Sequence, residues 1–125
     1  MALRKQYYFR PSHRGLLAWD VDRLVQLSSK LPPKQISLTN IRELDEAWHG
    51  EDEPITWRTI IEHMTLIDAV DPTFPIILAA DGAVMDGMHR VARALREGRK
   101  DITAVQFDAD PEPDHVGRGP NDLPY

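Results

Sequence analysis

The sequence predicts an α/β (α+β) domain: a small mixed β-sheet with about three helices. Three observations predict it. Short apolar runs with β-forming residues alternate with longer segments of helical periodicity. The pair Asp81–Gly82, between "PIILAA" and "AVM", is a strong hairpin signal. The chain has 125 residues, enough to bury one real core but not two.

The elements follow in order. "KQYYFRP", residues 5–11, has aromatic β-formers before a proline and reads as a short edge strand or an ordered arm. "WDVDRLVQLSSKLPP" reads as a helix capped by Asp20, with Val21, Leu24, Val25 and Ser28 on one face and Pro32–Pro33 at its end. "KQISL", 34–38, alternates Ile36 and Leu38 as a strand does. The acidic stretch 40–53 reads as a short helix followed by a loop. Thr56 then caps a clearer helix, whose expected buried stripe is Trp57, Ile60, Ile61, Met64 and Ile67 or Leu66. "DPTFP" breaks it, and the chain becomes extended into the hairpin. A helix from about 88 to 97 stops at Gly98, and "DITAVQF", 101–107, is the last strand. These readings divide the chain into a basic arm or edge strand (1–14), a single domain (15–107) and a flexible acidic Pro/Gly-rich tail (108–125).

Composition excludes several classes. There is no cysteine, so disulfides, thiolate metal sites and a cysteine nucleophile are ruled out. No run of about 18 apolar residues occurs, and the start lacks the apolar stretch of a signal peptide, so a soluble cytoplasmic protein with no membrane partner is expected. A net charge of −5 argues against a dedicated duplex-DNA binder. The charge is uneven: residues 1–14 carry Arg4, Lys5, Arg10 and Arg14 without an acid, whereas 108–125 carry five acids against Arg118.

The segment richest in chemistry is "AVMDGMHRVARALREG", 83–98. Gly87 lies where a strand becomes a helix, and a helix start offers unpaired N–H groups and partial positive charge to an anion. Asp86 can cap that helix, orient His89 or Arg90, or hold a metal ion that bridges phosphates. His89 and Arg90 sit on the first turn, where a guanidinium fork and an imidazole suit phosphate oxygens. Arg93 and Arg96 follow on the same face, which reads equally as a solvated basic face. His63, on the apolar helix near Met64, reads as structural, and no histidine pair shares metal-site spacing on one helix face.

Residues 75–107, through Asp86, Gly87, His89, Arg90, Ala94 and Gly98, resemble the core of the ParB/sulfiredoxin superfamily: hairpin, D-G-x-H-R, helix, Gly stop, strand. "KQISLTNI" supplies the family's earlier strand and "TWRTIIEHM" its intervening helix. The resemblance implies that Asp86, Gly87, Met88, His89, Arg90 and Arg93 hold the phosphates of ATP or another nucleotide, with Mg2+. Met88 stands where sulfiredoxin needs its cysteine, which excludes sulfinic-acid repair. The helix-turn-helix region of chromosome-partition ParB has no counterpart after this core. The nearest chemical analogue is the free-serine kinase branch, whose D-G-H-H-R corresponds to D-G-M-H-R here. Its general base maps to Glu46, Asp45 or Glu43.

The expected function is therefore nucleotide binding, with nucleotide hydrolysis or phosphate transfer to a small-molecule acceptor as the reactions open to it. Two other classes stay open. One is a non-catalytic regulatory or interaction module. The other is a ParB-like nucleic-acid-binding protein or nuclease using the basic arm and the 90–100 helix face. An exposed hairpin edge also makes a homodimer an expected state.

Overall fold

The computed structural model describes residues 6–46 and 55–125. In chain order the elements are β1 (Tyr7–Ser12), β2 (Gly15–Asp20), α1 (Val21–Ser28), β3 (Lys34–Ser37), α2 (Trp57–Ala69), β4 (Ile76–Leu78), β5 (Val84–Asp86), α3 (Met88–Arg96), β6 (Asp101–Gln106) and β7 (His115–Val116). Short 3-10 turns lie at Leu38–Asn40, Arg42–Asp45 and Pro120–Asp122. Among the described residues the molecule is a small mixed α/β domain with three helices and two sheets rather than one.

The larger sheet has the order β3-β6-β4-β5, with β4 parallel to β6 and the other pairs antiparallel. Its mixed character follows from the chain path. Asp81 and Gly82 turn β4 back into β5; the Asp81 carboxylate accepts the Ala83 N–H at 2.9 Å and Gly82 has φ 91°. Helix α3 then carries the chain across the sheet into β6. Successive residues of β4 point to opposite faces, as the period of a strand requires. Ile76 and Leu78 join Val84, Val91, Ala94 and Ala104 beneath α3, while Ile77 and Ala79 join Met85, Val105, Trp19 and Leu24 on the other side.

The smaller sheet, order β1-β2-β7, covers that second side. Strand β2 is one element the sequence reading missed. "GLLAWD" pairs antiparallel with β1 through Tyr8–Trp19 and Phe9–Ala18, so Trp19 fills the core from a strand and not from a helix. Helix α1 does start at the Asp20 cap, and Leu24 and Ser28 are buried as expected. Val25 is exposed, and the helix ends at Ser28, ahead of the prolines.

Two further expectations are corrected. The segment 108–125 is not loosely draped. It returns along β2: Trp19 Nε1 donates to the Pro111 carbonyl at 2.8 Å, Asp114 N–H to the Ala18 carbonyl at 2.8 Å, and β7 extends the sheet. Its acids meet arginines of β1 and α1, Asp110 with Arg10 at 2.8 Å and Asp114 with Arg23 at 3.2 Å, and Leu123 is buried. Charge complementarity and open backbone groups on β2 order a stretch that has little apolar content of its own.

The stripe expected to bury α2 is also reassigned. Thr56 caps α2 in a reciprocal box with Thr59, as the sequence suggests. Yet α2 packs on α3 and not on a sheet. The face turned inward carries Thr59, Ile60, His63 and Ile67, all half-buried, whereas Trp57, Ile61, Met64 and Leu66 are exposed. The expected short helix in 40–53 is two 3-10 turns across Leu38–Asp45, and its continuation lies outside the described residues.

Candidate functional site

The site is built where β5 hands over to α3. Gly87 adopts φ 112° and ψ 19°, a left-handed geometry that lets the strand bend directly into the helix. A Cβ there would lie 2.6 Å from Ile76 Cγ2 and 2.9 Å from Arg90 Nη2. The position therefore admits glycine alone, for backbone angle and for space. Gly87 is also the N-cap of α3, and no side chain caps that helix. Its first N–H groups are thus open to a ligand or to water.

Asp86 does not cap α3. Its carboxylate accepts from Arg90 Nη2 at 3.0 Å, one turn on, with both side chains largely buried. The pair fixes the guanidinium against the start of the helix, and Arg90 Nε is buried without a partner. His89 projects from the same turn and shares a 2.9 Å hydrogen bond between its Nε2 and His63 Nδ1. Burial, then the neighbouring His63, hold the His89 imidazole below its ordinary pKa, against an opposing pull from Asp86. His89 is therefore a neutral donor–acceptor at pH 7.

Two adjoining cavities open at this point. One, of about 400 Å3, is lined by Arg90, His89 and Gly87 together with Asp86, Asp22 and Asp71. The other, of about 670 Å3, shares Asp86, Gly87 and His89 but is walled by Tyr7, Phe9 and Tyr125. A third, smaller space of about 290 Å3 lies behind His89, between Glu43, Glu46, His63 and Met88.

The residues expected at the site divide. Asp86, Gly87, His89 and Arg90 converge on the first cavity. Met88 turns away from it, into the aromatic cleft and the space behind His89. Arg93 lies elsewhere: its Nη1 donates to the carbonyls of Asp68 at 3.0 Å and Val70 at 3.1 Å, closing the C-terminal end of α2. Glu43 uses Oε2 to accept the Val84 N–H at 2.6 Å on the edge strand β5, and its Oε1 is buried without a partner. Glu46 borders the space behind His89, and Asp45 is exposed on the 3-10 turn. Sequence reasoning missed His63, Asp22 and Asp71. The last two carried only turn and cap signals, Asp71 in "DPTFP" and Asp22 in the first turn of α1.

The arrangement suits an anion at an open helix start, met by a buried guanidinium and a neutral imidazole. The surrounding carboxylates suit a cation travelling with that anion, because Mg2+ is commonly held by one or two carboxylates plus phosphate oxygens. Among the described residues, no group of three or more donor side chains is placed to hold a metal ion alone. No family model, no curated protein and no solved structure matches this chain. Among the described residues no helix is long and apolar enough to cross a membrane.

Proposed function

We propose that this chain is a ParB/sulfiredoxin-like nucleotide-binding protein that holds phosphates at the start of α3. The observation that carries the reading is Arg90, fixed by Asp86 beside an uncapped helix start, with its Nε buried and unpaired. Two further features support it. The aromatic cleft of Tyr7, Phe9 and Tyr125 adjoins the phosphate cavity and offers a stacking surface for a base. Asp22 and Asp71, which line the same cavity as Arg90, favour a Mg2+-bound phosphate over a bare one. Hydrolysis or transfer to a small acceptor would draw its base from these carboxylates or from Glu46 beside His89, since Glu43 is engaged with β5 and Asp45 is exposed.

The nucleic-acid reading has less support. Arg10 and Arg14 face Asp110 and Glu112 of the returning C-terminal segment, and Arg93 and Arg96 are bonded to the end of α2. Among the described residues these four arginines are therefore engaged within the chain and are not free to follow a phosphate backbone.

The test is calorimetric titration with ATP, ADP, CTP and GTP, each with Mg2+, on wild type, Arg90→Ala and Arg90→Lys. Saturable binding by wild type, weakened at least about tenfold in Arg90→Ala and only partly restored by lysine, is the expected result. Absence of binding by every nucleotide overturns the reading. A phosphate-release assay on the nucleotide that binds then separates an enzyme from a switch.

A further inference from the structure

Helix α2 leaves a row of large apolar side chains uncovered. Trp57, Ile61 and Met64 are 81%, 59% and 51% exposed and follow each other at offsets of four and three, so they form one stripe along two turns. The stripe is held in place, because the Thr56–Thr59 box fixes the first turn that carries Trp57. It ends at Asp68, which Arg96 of α3 holds. Scattered exposed apolar residues are ordinary; an ordered row on one helix face marks a contact surface.

We propose that this face is a homodimer interface, covered by α2 of a second copy packed antiparallel to it. The charges flanking the stripe select that occupant. Arg58 and Glu62 stand one turn apart along the same edge, and among the described residues neither has an ion-pair partner. A two-fold axis near Ile60 sets Arg58 of one copy opposite Glu62 of the other, and the symmetry repeats the pair. Antiparallel docking brings the same edges of both helices together, whereas parallel docking separates them. The same operation lays Trp57 against Met64 of the second copy, a favourable sulfur–aromatic contact. Pairing through the hairpin edge is less suited to the task, since the Glu43 carboxylate already occupies the Val84 N–H of β5. The inner side of α2 still presents His63 to His89, so the interface and the α3 site share one helix without overlapping.

Sedimentation velocity of the full chain across a concentration series tests this. Wild type is expected to dimerise, and Ile61→Lys, at an exposed position that leaves the core untouched, to stay monomeric with an unchanged circular dichroism spectrum. Arg58→Glu alone weakens the dimer on the order of fivefold, through two like-charge contacts, and the double variant Arg58→Glu/Glu62→Arg recovers it. A wild type monomeric at every concentration overturns the proposal and leaves the face to a different protein. A dimer that survives Ile61→Lys, or a double variant as weak as the single one, overturns it too. None of these outcomes depends on nucleotide binding.

Discussion

At the scale of single residues, His89 joins the two sides of the site. Its Nε2 meets His63 on α2, and its ring borders the cavity that Arg90 enters. Burial and His63 lower its pKa below the ordinary 6.5. The consequence for stability has a definite sign. Well above 6.5 the imidazole is neutral in both folded and unfolded chains, and its contribution is complete. As pH falls below that value the unfolded chain takes up the proton first, so stability drops until the folded imidazole also titrates. The urea midpoint of the protein should therefore be lower at about pH 5.5 than at about pH 7.5, and the difference should shrink in His89→Gln. An equal pH slope in both proteins would remove His89 as its cause.

At the scale of elements, the junction between β5 and α3 makes the site possible. A strand that ends in Asp86 and a helix that begins with Met88 meet at one left-handed residue packed on Ile76. Gly87→Ala must adopt a strained backbone and push into the Ile76 methyl. A loss of about 1–3 kcal/mol in chemical denaturation is expected from the strain alone, before packing is counted. A loss below about 0.5 kcal/mol, the range of an ordinary surface change, would mean that the turn relaxes and that the close approach is not what fixes the start of α3. The element α2 teaches a different lesson. Its apolar periodicity is real, but its core-facing side is narrow and turned to α3, with Arg93 of that helix sealing its last carbonyls. Arg93 thus holds two helices together and does not line the cavity that Arg90 enters.

At the scale of the whole molecule, the first hairpin and α1 are joined to the last segment. The arginines near the N-terminus and the acids near the C-terminus, separated by about a hundred residues, pair across β1, β2 and β7. The Tyr7 hydroxyl donates to the Pro124 carbonyl, which closes the wall of the aromatic cleft. Deleting 108–125 uncovers the Trp19 indole N–H and removes the buried Leu123. Together these should cost roughly 3–5 kcal/mol and lower the thermal midpoint clearly. An unchanged midpoint would show that the returning segment adds nothing to the fold.

How much of this was legible follows from what each feature depends on. Local chemistry determined the Asp20 and Thr56 caps, the Asp81–Gly82 hairpin, the Gly98 stop of α3 and the strands around "PIILA" and "DITAVQF". Each rests on contacts a few residues apart, and sequence spacing encodes them directly. The convergence of Asp86, Gly87, His89 and Arg90 on one cavity was readable for the same reason, since they span a single turn. Only the tertiary structure decided that "GLLAWD" is a strand, that the acidic C-terminal segment is its partner, and that α2 turns Trp57 outward. It also brought His63, Asp22 and Asp71 to the site and took Arg93 away from it. Those outcomes depend on which distant surface an element meets, and a periodicity states that a face is apolar without stating what covers it.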